Sequence, residues 1–313
     1  MASEHAQGAA GKGGAAPRVS VILPTLNGEE DLRRQLPVLR SQAVDFEVEI
    51  CAIDSESTDG TRAVLAEYGA RVRSVRKADF RHGATRNLCA EDARGEFLVF
   101  LSQDVVPADE HFLGPLIAAF DDPRIAGAYS RVLPHPDDDA LTTRTVLDLP
   151  EASGEPWVRD LDEIGPVWDL EPWERGLYLR FNNVASAIRT SVFREIPFPD
   201  MDFAEDFAWA ARALTAGWRI AFVPESRAMH AHTYDVRKAF ERYRVDAAFH
   251  RDVHGWRMRP SLLSAMRGIA YEVWQDARFI LGGQATGSGR WRSLIESPAL
   301  RTAQVMGQYV GSR

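Results

Sequence analysis

The sequence predicts an α/β protein built on a mainly parallel, doubly wound sheet, followed by a helical C-terminal extension. Three observations carry that prediction. Strand-like runs rich in β-branched residues alternate with helical stretches across short links, the rhythm of a doubly wound sheet. One run, "EFLVFL" at 96–101, is apolar from Phe97 onward and bounded by turn signals, as expected of a strand covered on both faces. From about Asp235 the alternation stops, and helical segments bearing Arg and Trp follow.

Each element has its own warrant. "VSVILPT" (19–25) is a β-rich run stopped by Pro24, and the following "NGEEDLRRQLPVLRSQ" carries acidic residues in its first turn, which suits the helix dipole. Pro37 should kink or break that helix. "FEVEICAID" is the second strand, "SESTDG" a turn, "TRAVLAEYG" a helix and "ARVRSVR" a short third strand. "TRNLCAEDARG" reads as a helix closed by Gly95, and "EFLVFL" as the fourth strand. A helix around "ADEHFLGPLIAAF" leads to the strand "IAGAYSRVL". Residues 134–173, polar and rich in Pro and Asp, read as an insertion, partly loop, beside the substrate. "NNVASAIRTSVFREIPF" resumes regular structure, "EDFAWAARALTAGW" is a helix and "RIAFVPESRAMHAH" holds the last strand or strands. The expected domains are a disordered tail (1–17), an α/β domain (18–235) and a helical extension (236–313).

Composition narrows the function. A chain of 313 residues with net charge -8 has room for a sizeable core and lacks the basic surface of a nucleic-acid binder. Cys51 and Cys89 show no metal-ligand spacing and give no disulfide framework, a usage that suits a reducing cytoplasm. No apolar stretch approaches the roughly 20 residues that span a bilayer. The N-terminal "GAAGKGG" lacks the preceding strand and the Lys-Ser/Thr pair of a phosphate loop.

Chemistry-bearing residues gather at strand tips, where open α/β sheets bind ligands. They are Thr25 and Asn27 after the first strand, Asp54 and Asp59 after the second, His82 and Arg86 in "FRHGATRN", and Asp104 in "LSQDV". Each has a plainer reading when taken alone. Asp59 and Asp104 could cap helices or close turns, and His82 could be an ordinary loop residue. Arg86, in the first turn of its helix, opposes the dipole and needs a reason. Together they converge on one crevice.

The ordered set "VILPTLN", "IDSESTDGT", "GATRN", "FLSQDV" and "FAEDFAW" resembles the family 2 glycosyltransferases of the GT-A nucleotide-diphospho-sugar transferase fold, over roughly residues 18 to 235. "HGATRN", "YSRVLPHPDDD", "FNNVASAIRTSVFREIPFPDMDFAEDFAW" and "HAHTY" are similar to bacterial rhamnosyltransferases. The resemblance implies an inverting transfer of a sugar, L-rhamnose from dTDP-rhamnose, to a hydroxyl of a polysaccharide or lipid-linked glycan. UDP- or GDP-hexose donors and a non-catalytic nucleotide-sugar-binding scaffold stay open as alternatives.

It also implies roles. Pro24, Thr25, Asn27, Asp54, Ser55, Arg86, Gln103 and Asp104 would hold the donor, with Asp54 toward the nucleoside. Asp206 would be the base, and Glu205 would orient its neighbours or contact substrate. "SQD" departs from the family's Asp-x-Asp motif: Ser102 replaces the first carboxylate and leaves Asp104 to seat a divalent cation, Mg2+ or Mn2+. His230 would complete that seat; His232, two residues on, would share its face on a strand, although either could be a simple hydrogen-bonded histidine. A sugar-phosphate nucleotidyltransferase would need a basic Gly-rich loop where "LPTLNGEED" stands, and a glycosidase would need no nucleotide pocket. The expected partners are a nucleotide-sugar donor and a glycan acceptor, with no nucleic acid. The Arg- and Trp-bearing tail either packs on the catalytic domain or rests on the inner membrane face.

Overall fold

The computed structural model describes residues 18–201, 203–284 and 289–313; the expected N-terminal tail lies outside them. In chain order it runs β1 (Val19–Thr25), α1 (Glu29–Arg40), β2 (Val48–Asp54), α2 (Thr61–Glu67), β3 (Arg71–Ser74), α3 (His82–Ala90) and β4 (Phe97–Leu101). Then come β5 (Val106–Pro107), α4 (Leu113–Ala118), β6 (Ile125–Leu133), α5 (Ala140–Leu147), β7 (Trp157–Arg159), α6 (Leu161–Ile164), α7 (Pro172–Tyr178), β8 (Ala185–Arg189) and α8 (Thr190–Glu195). Helix α9 (Glu205–Thr215), β9 (Arg219–Met229), α10 (Val236–Phe249), α11 (Leu262–Leu281) and α12 (Arg290–Gly311) complete it.

Strand β1 shows why the core has two layers. Successive side chains of a strand point to opposite faces. Val19, Val21 and Leu23 accordingly pack with Leu32 and Leu36 of α1 on one face. Ile22 packs on the other face with Cys89 of α3 and Trp209 of α9. The strand order is β3-β2-β1-β4-β8-β6-β9-β5, with β7 paired to β9.

The sheet is mixed. Strands β3, β2, β1 and β4 run parallel as the sequence predicts, but β8 enters antiparallel between β4 and β6. The 134–173 stretch leaves from the carboxyl end of β6, and the chain re-enters the sheet at that same edge. A strand starting there must run back down. Strands β5 and β7 are likewise antiparallel to β9.

Two local expectations need correction. Helix α1 continues through Pro37 to Arg40. Pro37 falls in the last turn, and the buried Leu32, Leu36 and Leu39 hold that helix to the sheet on both sides of it. Gln35 adds hydrogen bonds from its Nε2 to the carbonyls of Ser102 (2.8 Å) and Val105 (2.6 Å). Gly95 does not close α3, which ends at Ala90. Its backbone instead passes so near β1 that a Cβ there would lie 2.6 Å from the Ser20 nitrogen.

The helical extension meets the sheet through the insertion. Helices α10 and α12 touch backbone to backbone at Gly307 and Gly311, where an added Cβ would come within 2.4 Å of the Phe240 oxygen and 2.2 Å of the Arg244 oxygen. Beside that seam, the buried Asp276 of α11 accepts hydrogen bonds from Arg144 of α5 (2.6 Å) and Arg301 of α12 (2.8 Å to each oxygen), and from Ser297. Burial opposes its charge, yet these partners, Arg301 foremost, hold its carboxyl below the usual carboxylate range. Removing one member of such a cluster strands the others without a counter-charge. Asp276→Ala should therefore cost about 3–5 kcal/mol, read as a lower urea midpoint, whereas loss of the exposed Lys238–Asp235 pair in Lys238→Ala should cost under about 1 kcal/mol.

Candidate active site

The loops that leave β1 and β2 are tied to each other before any ligand arrives. Asp54 is buried and accepts hydrogen bonds from Thr25 Oγ1 (3.3 Å), the Ser57 amide (3.1 Å) and Ser57 Oγ (2.5 Å). Asn27 Oδ1 accepts from the Thr58 amide (2.8 Å), and the Asn27 amide donates to Ser57 Oγ (2.9 Å). Ser55 is buried, its amide donating to the Thr25 carbonyl (2.9 Å), while its Oγ has no partner among the described residues. Pro24 sits in β1 opposite Ile53. Gln103 reaches back from the tip of β4 and holds both backbone groups of Leu26, accepting from its amide (2.8 Å) and donating to its carbonyl (3.2 Å).

Asp59 is a capping residue. Its carboxylate accepts from the Thr61 amide (3.0 Å) and the Glu29 amide (3.1 Å), and Glu29 returns a bond from the Gly60 amide (2.9 Å). Each of two helix starts is thus closed by a side chain from the other.

The non-glycine residues described with positive φ are Asn27 (47°), Glu56 (63°) and Ala204 (61°), and all three lie in these loops or directly before Glu205. Backbone strain of this kind persists only where surrounding structure enforces it.

Beyond β9, His230 and His232 turn toward Asp104. Their Nε2 atoms lie 3.5 and 3.7 Å from Asp104 Oδ2, and the two rings meet edge to face. One ligand atom from each of the three residues can be chosen so that all lie within 4.8 Å of one another. One carboxylate oxygen and two imidazole nitrogens form a donor set suited to a borderline divalent cation. Burial works against the Asp104 charge, but the hydrogen bond and charge of His230, then His232, keep its carboxyl below the ordinary range. Burial and then His230 depress His232.

The third group sits where α3 meets α9. Arg86 is not in the first turn of its helix, because α3 starts at His82. A helical side chain leans toward the N-terminus, and Arg86 Nη1 donates to the His82 carbonyl (3.1 Å) and to Glu205 Oε1 (3.3 Å). Both partners of this ion pair are buried, and the Arg86 Nε has no partner among the described residues. Burial lowers the pKa of Arg86, with Glu205 and Asp206 opposing that shift.

Asp206 accepts from its neighbour's amide, Phe207 (2.9 Å), and from the Asn183 amide (3.3 Å). The next residue, Val184, accepts at its carbonyl from the Ser102 amide (3.1 Å). Asp206 is thereby fixed beside the tip of β4 that carries Asp104. Burial, then the Glu205 charge, raise the Asp206 carboxyl to about 7.

Of the residues singled out in the sequence, Asp104, His230 and His232 form one cluster; Arg86, Glu205 and Asp206 form a second; Pro24, Thr25, Asn27, Asp54, Ser55 and Gln103 line the loops between β1, β2 and β4. Sequence reasoning missed Ser57 and Asn183, whose groups hold two of these carboxylates. Ser57 lies within the quoted turn and Asn183 within "NNVAS", but neither position has a residue type that stands out without the fold.

Residues 20–169 match the model of Glycosyl transferase family 2. The O-antigen chain rhamnosyltransferases RfbN of Salmonella typhimurium and WbaN of Salmonella anatum are each 29% identical over 238 residues, covering 74% and 75% of this chain and 72% of theirs. Among solved structures, the mannosyltransferase PcManGT of Pyrobaculum calidifontis, in complex with GDP-Man and Mn2+, superposes with a TM-score of 0.53 at 18% identity, covering 95% of this chain and 73% of that one. S. aureus TarS 1–349 in complex with UDP gives 0.52 at 17% identity, covering 93% and 90%.

Proposed function

The chain carries a glycosyltransferase family 2 domain of the GT-A fold, and from that premise we propose that it transfers L-rhamnose from dTDP-rhamnose, with inversion, to a hydroxyl of a polysaccharide or lipid-linked glycan. The observation that carries the reading is the bond chain Ser102–Val184 and Asn183–Asp206, which sets a carboxylate with a raised pKa beside the Asp104 cluster. The similarity to O-antigen rhamnosyltransferases supports the choice of sugar.

The residues then divide the work. The loops held by Asp54, Asn27 and Gln103 receive the nucleoside, with Ser55 Oγ, which has no partner among the described residues, as a further hydrogen-bonding group. Asp206 removes the proton from the acceptor hydroxyl as it attacks the anomeric carbon. Glu205, neutralised by Arg86, fixes the start of α9 and keeps Asp206 basic. Asp104, His230 and His232 would hold a divalent cation, and a cation there supplies counter-charge for the departing diphosphate. Imidazole ligands favour Mn2+ over Mg2+.

No helix among the described residues is long and apolar enough to cross a membrane. We infer that contact with an anionic lipid surface is made through the C-terminal helices. Met266, Trp274 and Leu281 stand exposed along α11, and Trp291 and Ile295 along α12. Residues 255–313 hold eight arginines against three acidic residues in a chain of net charge -8. Trp256, by contrast, packs inward against Gly176 and His250.

Four outcomes follow. Asp206→Asn should lose transfer by about 10²–10⁴-fold while donor binding persists. In the wild type, a base with a carboxyl at about 7 is competent only when ionised, so kcat/KM should fall as pH drops below about 7 and level off above it; a flat profile or an active Asn variant removes the assignment.

Calorimetric titration should show dTDP-rhamnose binding strengthened by Mn2+, with that strengthening absent in Asp104→Asn. Preference for UDP-glucose or GDP-mannose would keep a transferase with another donor, and binding of none would favour a non-catalytic scaffold. In flotation assays the protein should rise with phosphatidylglycerol vesicles and not with neutral ones, and Trp291→Asp with Ile295→Asp should abolish that; equal recovery of the double variant overturns the lipid contact.

A further inference from the structure

Helix α10 is not packed away from the crevice; it bridges it. Its N-cap, Asp235, lies three residues after His232, whose ring also touches that of Tyr234 at 5.7 Å. Its last residue, Phe249, meets the rings of Phe203 (5.5 Å) and Phe207 (5.4 Å), which flank Glu205 and Asp206. Fourteen residues of helix span about 20 Å, so the helix runs from the Asp104 cluster to the start of α9.

Arg242 stands near its midpoint. Arg242, Asp246 and Phe249 are spaced four and three apart and so share one face. That face is turned to the crevice, because the Arg242 guanidinium lies over the Phe203 ring at 5.1 Å and Phe249 meets the same ring.

The known partners of Arg242 do not account for it. Its charge sits 3.5 Å from Asp246 Oδ1, and the side chain is 46% exposed. An ion pair this open contributes little to stability. It stands midway along a helix whose start adjoins His232 and whose end meets Phe207. On the α9 side its charge, after burial and Arg86, helps depress His82.

Sugar transfer as proposed above places a specific demand there. The bond between C1 and the diphosphate oxygen breaks, the acceptor oxygen bonds to C1, and the acceptor proton passes to Asp206. The electron pair of the broken bond stays on the diphosphate, whose negative charge rises. Fixed cations of the protein placed beside the leaving group stabilise that charge as it develops.

We propose that Arg242 binds the diphosphate of the donor and of the departing nucleoside diphosphate, closing the crevice from the α10 side. A guanidinium suits this role because its planar fork matches phosphate oxygens. The assignment rests on the glycosyl-transfer reading, and the following measurement separates the two.

Full-length protein is titrated calorimetrically with dTDP, UDP and GDP, and with the corresponding monophosphates, in the presence of Mn2+. For the diphosphate that binds, Arg242→Gln should weaken affinity about 10- to 100-fold. The monophosphate should change far less, the melting temperature should hold, and Arg242→Lys should recover part of the loss. Unchanged diphosphate binding in Arg242→Gln overturns the assignment and leaves the transferase standing. An equal loss for mono- and diphosphate makes Arg242 a support for the Phe203 loop and also overturns it. If the wild type binds none of the three diphosphates, the transfer reading falls and this assignment with it.

Discussion

The buried Arg86–Glu205 pair is the constraint on which the site depends. It joins α3, which follows the loops beyond β1 and β2, to α9, which begins with the two carboxylates. One guanidinium faces two acidic groups; Arg86 and Glu205 are buried and Asp206 is partly buried. Burying an ion is tolerable only when its charge is matched. Glu205 takes the match at 3.3 Å, and Asp206 is left with amide donors and a like charge beside it. The same arrangement that stabilises the helix start therefore leaves one carboxyl reluctant to ionise. Basicity at that position is a by-product of where the cation is placed.

Much of the fold was legible because strand alternation and apolar runs report burial directly. "EFLVFL" became the fully buried β4, and the acidic first turn of "NGEEDLRRQ" became the start of α1. The reversal of β8 was not legible, since strand direction depends on which edge the insertion occupies and "ASAIR" reads the same either way. Pro37 misled for a related reason: propensity weighs the residue, while the helix is held by side chains on either side of it.

The crevice was legible in residue types and obscure in partners. Asp54, Arg86, Asp104 and Asp206 stand out as charges at strand and helix ends. What each one touches is decided across the sheet, as when Gln103 seizes Leu26, 77 positions away, or Arg86 finds Glu205, 119 away. Single-residue roles such as Asp59 as a cap came through because caps are local.

The cluster of Asp276 with Arg144 and Arg301 bears on how such chains diversify. The segment beside the crevice, where substrate preference is expected to reside, is anchored through α5 by a charge-matched joint whose other half lies more than 120 residues downstream. A chimera that exchanged only 134–173 with a relative would import one half of that joint and face an orphaned ion in the interior. Specificity in this lineage should thus be inherited in paired pieces, insertion together with C-terminal helices, rather than as a portable loop.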